Sequence, residues 1–178
     1  MRRFGERPYS AVSTREIAEE AGIARGLLNH YFGSKRDLYL EVVRRMLLLP
    51  DVTDAVPVTG SLEARVRRAI DWFLDVVETH GKTFVAVTAG HIGDDPDLER
   101  ILFSADDVAA RKVLEIVGMP TTGRHAERNR AAIRAFSGMV KNAIKEWIRA
   151  GTLTRKQVSF LLTETLVAVV RDLLPRLP

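Results

Sequence analysis

Apolar residues recur along most of this chain at intervals of three and four, and no stretch keeps up the apolar–polar alternation of a half-buried strand. The pattern predicts an all-α protein. Helices are expected at about 13–21, 24–32, 35–49, 61–80, 82–89, 96–117, 124–150 and 154–174. Pro50 stops the third, Gly81 ends the fourth, and Gly151 separates the last two. In the fourth, Leu62, Val66, Ile70, Phe73 and Val77 fall on one face. Residues 50–60, PDVTDAVPVTG, read as a connection, dividing a small N-terminal domain, 1–49, from a larger helical one, 50–178.

The first domain holds the most specific local pattern, STREIAEEAGIARGLLNHYFGSKRDL, at Ser13 to Leu38. Ser13 and Glu16 have capping-box spacing, so hydroxyl and carboxylate can satisfy free amides where a helix begins. Ala18 lies four residues before Gly22. A methyl-sized side chain thus faces a close helix crossing, and the glycine supplies the positive φ of a sharp turn. Ile17, Ile23 and Leu28 are expected to fill the small core between the two helices. With Leu28, Phe32 and also Leu27 facing inward, the second helix exposes Arg25, Gly26, Asn29 and His30. Arginine and asparagine match guanine and adenine edges in the major groove, and glycine allows close backbone approach. Gly33 ends that helix. Ser34 and Asp37 repeat the capping spacing and put Lys35 in a first turn, where it and free amides can hold a phosphate.

The layout is that of a helix-turn-helix DNA reader, and its residues are more specific still. The run Ser13, Thr14, Glu16, Ile17, Ala18, Ala21, Gly22, Ile23, Arg25, Gly26, Leu28, Tyr31, Phe32, Ser34, Lys35 and Leu38 resembles the DNA-binding signature of the TetR-type transcriptional regulators. The resemblance covers about residues 4–45; beyond them only the helical layout agrees. It implies an N-terminal helix-turn-helix domain followed by a helical effector-binding and dimerisation domain. The implied protein is a homodimer, a repressor released from a palindromic double-stranded DNA operator by a small-molecule effector. Arg25, Gly26, Asn29, His30 and Tyr31 then fall on the recognition helix, Lys35 on the family's phosphate-contacting lysine, and Thr14 near a backbone contact. Three positions depart: Ala24 and Leu27 stand where serine or threonine is common, and Asn29 where tyrosine is. Family members also precede the reader with a full helix, whereas here Phe4 falls at its end with only Met1 to Arg3 before it. That departure raises a second reading, a helical ligand sensor or partner protein that does not bind DNA.

The last two predicted helices carry Ile133, Phe136, Val140, Ile144, Trp147 and Ile148, then Val158, Leu161, Leu162, Thr165, Leu166, Val169 and Leu173. The second stripe is broad enough to pack on its own chain and on a partner. The resemblance implies a four-helix dimer interface here, with Ile144, Trp147, Ile148, Leu162, Leu166 and Val169 as its candidates. A pocket among the middle helices would draw on Trp72, Phe73, Phe84, Thr88, His91, Phe103, Phe136, Met139 and Asn142, since ligand sites join apolar walls to a few polar groups. Those walls favour a hydrophobic or aromatic effector. Aromatics at helical spacing also serve simply as core.

Composition narrows the rest. The 178 residues include no cysteine, so disulfides, thiolate metal sites and cysteine nucleophiles are excluded. No apolar run is long enough for a membrane span and no signal peptide opens the chain, which suits a cytoplasmic protein. The net charge is +4, distributed as +3 over 1–49, −6 over 50–123, +7 over 124–156 and 0 over 157–178. The most basic segment is therefore not the reader. Arg124 to Arg134 are expected to form a solvated or acid-paired face rather than a second DNA site. His91, Asp94 and Asp95 lie together without a second histidine, and there is no P-loop, dinucleotide fingerprint, G-x-S-x-G or H-E-x-x-H. No metal, cofactor or catalytic activity is expected.

Overall fold

The computed structural model describes residues 3–4, 7, 9–47, 56–89 and 95–177, with the side chains of 80, 82–83 and 87–89 excepted. Every element among them is helical. A 3₁₀ turn at Tyr9–Ala11 leads into α1 (Thr14–Glu20), α2 (Arg25–Phe32) and α3 (Lys35–Leu47). Then follow α4 (Leu62–Ala89), α5 (Pro96–Val117), α6 (Ala126–Lys145) and α7 (Arg155–Ala168). α6 runs on into a π-helical turn, Glu146–Ala150, and α7 into another, Val169–Leu173, closed by a 3₁₀ turn at Leu174–Arg176.

The chain forms two compact units, one of residues 1–48 with 82–103 and one of 49–81 with 104–178. In the first, Phe4, Val12, Ala18, Leu28, Leu38, Val42, Val43 and Leu98 make a small core. Phe4 stacks 6.2 Å from Tyr9 and meets Tyr39 edge-on at 5.1 Å, while Tyr9 meets Tyr39 edge-on at 5.2 Å. Burial raises the Tyr39 hydroxyl above its ordinary pKa, because an anion there would lose water. In the second unit Val66, Ile70, Leu74, Leu114, Ile133, Phe136, Leu162, Leu166 and Leu174 pack together, which is the four-residue periodicity of α4, α6 and α7 turned inward.

Gly81 does not end a helix. α4 is continuous through it, and a Cβ there would lie 3.0 Å from Ile148 Cδ1 and 3.1 Å from its Cγ1. The glycine serves close packing, and the cost of one glycine inside a helix, about 1 kcal/mol, is small beside the contacts α4 makes along its length. α7 begins with a capping box. Thr154 accepts from the Gln157 amide, and the Gln157 side chain accepts from the Thr154 amide at 2.9 Å. Of the connection expected at 50–60, residues 50–55 lie outside the described residues.

Candidate nucleic-acid interface

α1 starts as its sequence dictates. Ser13 Oγ accepts from the Arg15 amide at 3.2 Å, and Glu16 accepts from the Ser13 amide at 3.2 Å. Glu16 also holds Arg7 at 2.8 Å, and that guanidinium, with the Ser13 amide, keeps its carboxyl below the ordinary range. Ala18 is buried under the crossing. The chain then reverses through Gly22 at φ +66, where the Ile23 amide bonds back to the Ala18 carbonyl at 3.0 Å.

α2 is anchored by one face and free on the other. Leu28 is buried and Phe32 half-buried against the first unit's core. Arg25, Gly26, Asn29, His30 and Tyr31 are all exposed, and Tyr31 is 72% exposed. The edge of one ring faces the other in the His30–Tyr31 pair, with centroids 5.6 Å apart. Among the described residues, the side chains of Arg25 and Asn29 have no hydrogen-bond or ion-pair partner within the chain. Two expectations fail here: Leu27 is 43% exposed and Ile23 is 37% exposed. On a helix Leu28 and Phe32 lie four residues apart and define the inward face. Leu27 lies ~100° away from Leu28, on the Tyr31 side. That signal was present in the sequence.

The start of α3 is more occupied than its sequence suggested. Asp37 accepts from the Ser34 amide at 3.2 Å and from the Ser34 hydroxyl at 2.6 Å, which lowers its pKa. Lys35 Nζ lies 4.4 Å above the Tyr9 ring and donates to the Ser10 carbonyl at 3.5 Å. The aromatic ring thus holds this lysine, from the start of α3, against the 3₁₀ turn that precedes α1. Thr14, the first residue of α1, is half-buried.

Arg36 escaped sequence reasoning altogether. Its guanidinium forks onto Asp95 at 2.7 and 2.8 Å and reaches Asp97 at 2.5 Å. Asp95 is 8% exposed and also accepts from the Asp97 and Leu98 amides, capping α5. The arginine, helped by those two amides, holds the Asp95 carboxyl down at about 2. A pairing across 59 residues leaves no trace in local spacing.

The remaining candidates scatter. Phe73, Phe136 and Met139 pack with the second unit's core, and Trp72 is half-buried. Phe84, half-buried, and Phe103, 60% exposed, belong to the first unit. Asn142 is exposed and donates to the Gly138 carbonyl at 3.1 Å. His91 and the side chain of Thr88 lie outside the described residues. Of the dimer candidates, Ile144, Leu162 and Leu166 are fully buried within their own chain, so a partner could not touch them in this conformation. Trp147, Ile148 and Val169 are half-buried, and Phe160, Leu161 and Leu173 are the exposed apolar side chains of the last helical stretch.

Residues 1–42 match the model of a family described as bacterial regulatory proteins, tetR family. The chain is 24% identical over 147 residues to the HTH-type transcriptional activator FasR of Mycolicibacterium smegmatis, covering 82% of this chain and 67% of that one. It is 43% identical over 47 residues to the HTH-type transcriptional regulator BetI of Agrobacterium fabrum, which is 26% of this chain and 23% of BetI. Among solved structures, a tetR-family transcriptional regulator from Streptomyces coelicolor superposes with a TM-score of 0.75 at 25% identity, over 97% of this chain and 82% of that one. A TetR transcriptional regulator from a Rhodococcus species shares the fold with a TM-score of 0.61 at 20% identity, over 96% and 90% of the two chains.

Proposed function

We propose that this chain, whose residues 1–42 match the tetR family of bacterial regulatory proteins, is a regulator of that kind and works as a homodimeric repressor that leaves a palindromic operator when a small effector binds. The observation that carries DNA binding is the face of α2. Its inward residues are held in a core, and Arg25, Gly26, Asn29, His30 and Tyr31 stand exposed together. In this reading Arg25 and Asn29 contact base edges, while Lys35 and Thr14 contact phosphates and set the register. Residues 1–49 act as the reader and 50–178 as the part that pairs and senses.

The two-fold assembly follows from what recognition requires. One short helix covers only a few base pairs, and two copies on one duplex face place half-sites ~34–36 Å apart or a multiple of that. Phe160, Leu161 and Leu173, with half-buried Trp147, Ile148 and Val169, supply apolar surface for pairing. The effector is a hydrophobic or aromatic molecule taken up among α4 to α6, where Trp72 and Met139 are half-buried. FasR is named an activator, and the same DNA contact serves either sign of regulation.

A gel shift with the DNA flanking the chain's own gene tests this reading. A shift competed by that DNA and not by scrambled sequence, weakening steeply as salt rises, is the expected result. A shift equal on scrambled DNA would overturn it.

A further inference from the structure

Leu27 and Tyr31 sit one turn apart on α2, and Ile23 precedes Leu27 by the same four residues. All three are exposed, by 43%, 72% and 37%; Ile23 lies in the turn before α2, and Leu27 and Tyr31 lie on the flank of α2 next to His30. A single exposed leucine is unremarkable, but an exposed Leu27–Tyr31 pair on a helix whose other flank carries unpaired Arg25 and Asn29 calls for an apolar partner. The major groove offers one such group, the 5-methyl of thymine; every other distinguishing feature there is a hydrogen-bond donor or acceptor. Resting on the DNA-binding reading above, we infer that Leu27, flanked by Tyr31, reads a thymine methyl in each half-site.

The surroundings fit this occupant. Lys35, held over Tyr9, lies on the element following α2 and can bind a phosphate. Gly26, with nothing within 4 Å of where a Cβ would stand, lets the backbone beside Leu27 approach the groove closely. The His30 and Tyr31 rings pack edge to face, their centroids 5.6 Å apart, with Tyr31 one turn along α2 from Leu27. Arg25 and Asn29 then specify neighbouring base pairs by hydrogen bonds, and Leu27 supplies the discrimination they lack, between thymine and cytosine at the same step.

Deoxyuridine tests this directly, because it keeps every hydrogen-bonding group of thymine and lacks only the methyl. The preferred duplex is first selected from a random-sequence library with the full chain. Each thymine is then replaced singly by deoxyuridine and Kd is measured for the wild type and for Leu27→Ser. The wild type should lose about fourfold in affinity at one thymine per half-site, the worth of one buried methyl. Leu27→Ser should bind more weakly and be indifferent to uracil at that position, with an unchanged circular-dichroism melt. Insensitivity of the wild type to every replacement, or full sensitivity in Leu27→Ser, would overturn the inference while leaving the DNA-binding reading intact. Selection of no sequence at all would overturn both.

Discussion

Arg36 and Lys35 are neighbours at the start of α3 with opposite employments. Lys35 lies over an aromatic ring within reach of solvent, whereas Arg36 is committed to Asp95 and Asp97. Asp95→Asn removes one of the two charges and leaves a guanidinium whose fork no longer has its match. A fall of a few degrees in Tm is expected at pH 7. The pH dependence has a definite sign. Asp95 titrates at about 2 in the folded chain, below the usual carboxylate value of about 4, so the unfolded chain takes up the proton first as pH falls. Its contribution is therefore complete above pH ~4 and lost on descending towards 2. Denaturant melts should show the gap between wild type and Asp95→Asn closing below pH 4; a gap constant from pH 7 to 3 would contradict the pairing. Single residues were the least legible scale. The caps at Ser13 and Ser34 were readable because their partners lie three residues away. Apolarity alone points Leu27 inward, although the Leu28–Phe32 pair already fixes the buried face.

Helices were legible because a stripe repeating every three or four residues has few other ways to bury itself. α1, α2, α5 and the α6–α7 pair fall close to their expected bounds. The error at Gly81 is instructive: glycine is a weak helix breaker, and only packing reveals whether it turns the chain or admits a neighbour. Gly81→Leu should therefore destabilise by about 1–3 kcal/mol through overpacking against Ile148, and Ile148→Ala should recover part of that loss in the double variant. Purely additive losses in the thermal melts would contradict a shared contact. At the start of α7, Thr154→Ala should cost about 1 kcal/mol by removing the cap hydroxyl, and Thr154→Asp should largely retain stability. Equal destabilisation by both would show that the hydroxyl oxygen's role as an acceptor is not what matters.

At the scale of the molecule, net charge says little about where DNA would lie. The most basic stretch, 124–156, has part of its charge paired within the chain. Arg134 meets Asp107 at 2.5 Å and Glu127 at 2.9 Å, Arg130 pairs with Glu127, and Lys141 meets Asp106 at 2.6 Å. Arg134 and Arg130 lower the Glu127 carboxyl below its ordinary range. Two of those three partners, Asp106 and Asp107, lie in the acidic segment before it, so these members of the two opposite charge blocks come together. Among the described residues, no helix is long and apolar enough to cross a membrane. The relatives and the fold are those of transcription regulators rather than enzymes. The effector site was the least legible part, since its candidate aromatics follow the same helical spacing as the core, and Phe73 and Phe136 indeed pack within it.

The central claim is that α2 reads bases while Lys35 anchors phosphate. Fluorescence anisotropy on specific and scrambled duplexes, across a salt series, tests it most directly with Arg25→Ala and Lys35→Ala beside the wild type. Arg25→Ala should lose about 1–3 kcal/mol on the specific duplex and little on the scrambled one. Lys35→Ala should weaken both alike and reduce the salt slope by about one. Equal losses on both duplexes for Arg25→Ala, with sequence preference unchanged, would contradict the assignment of α2 as the reader.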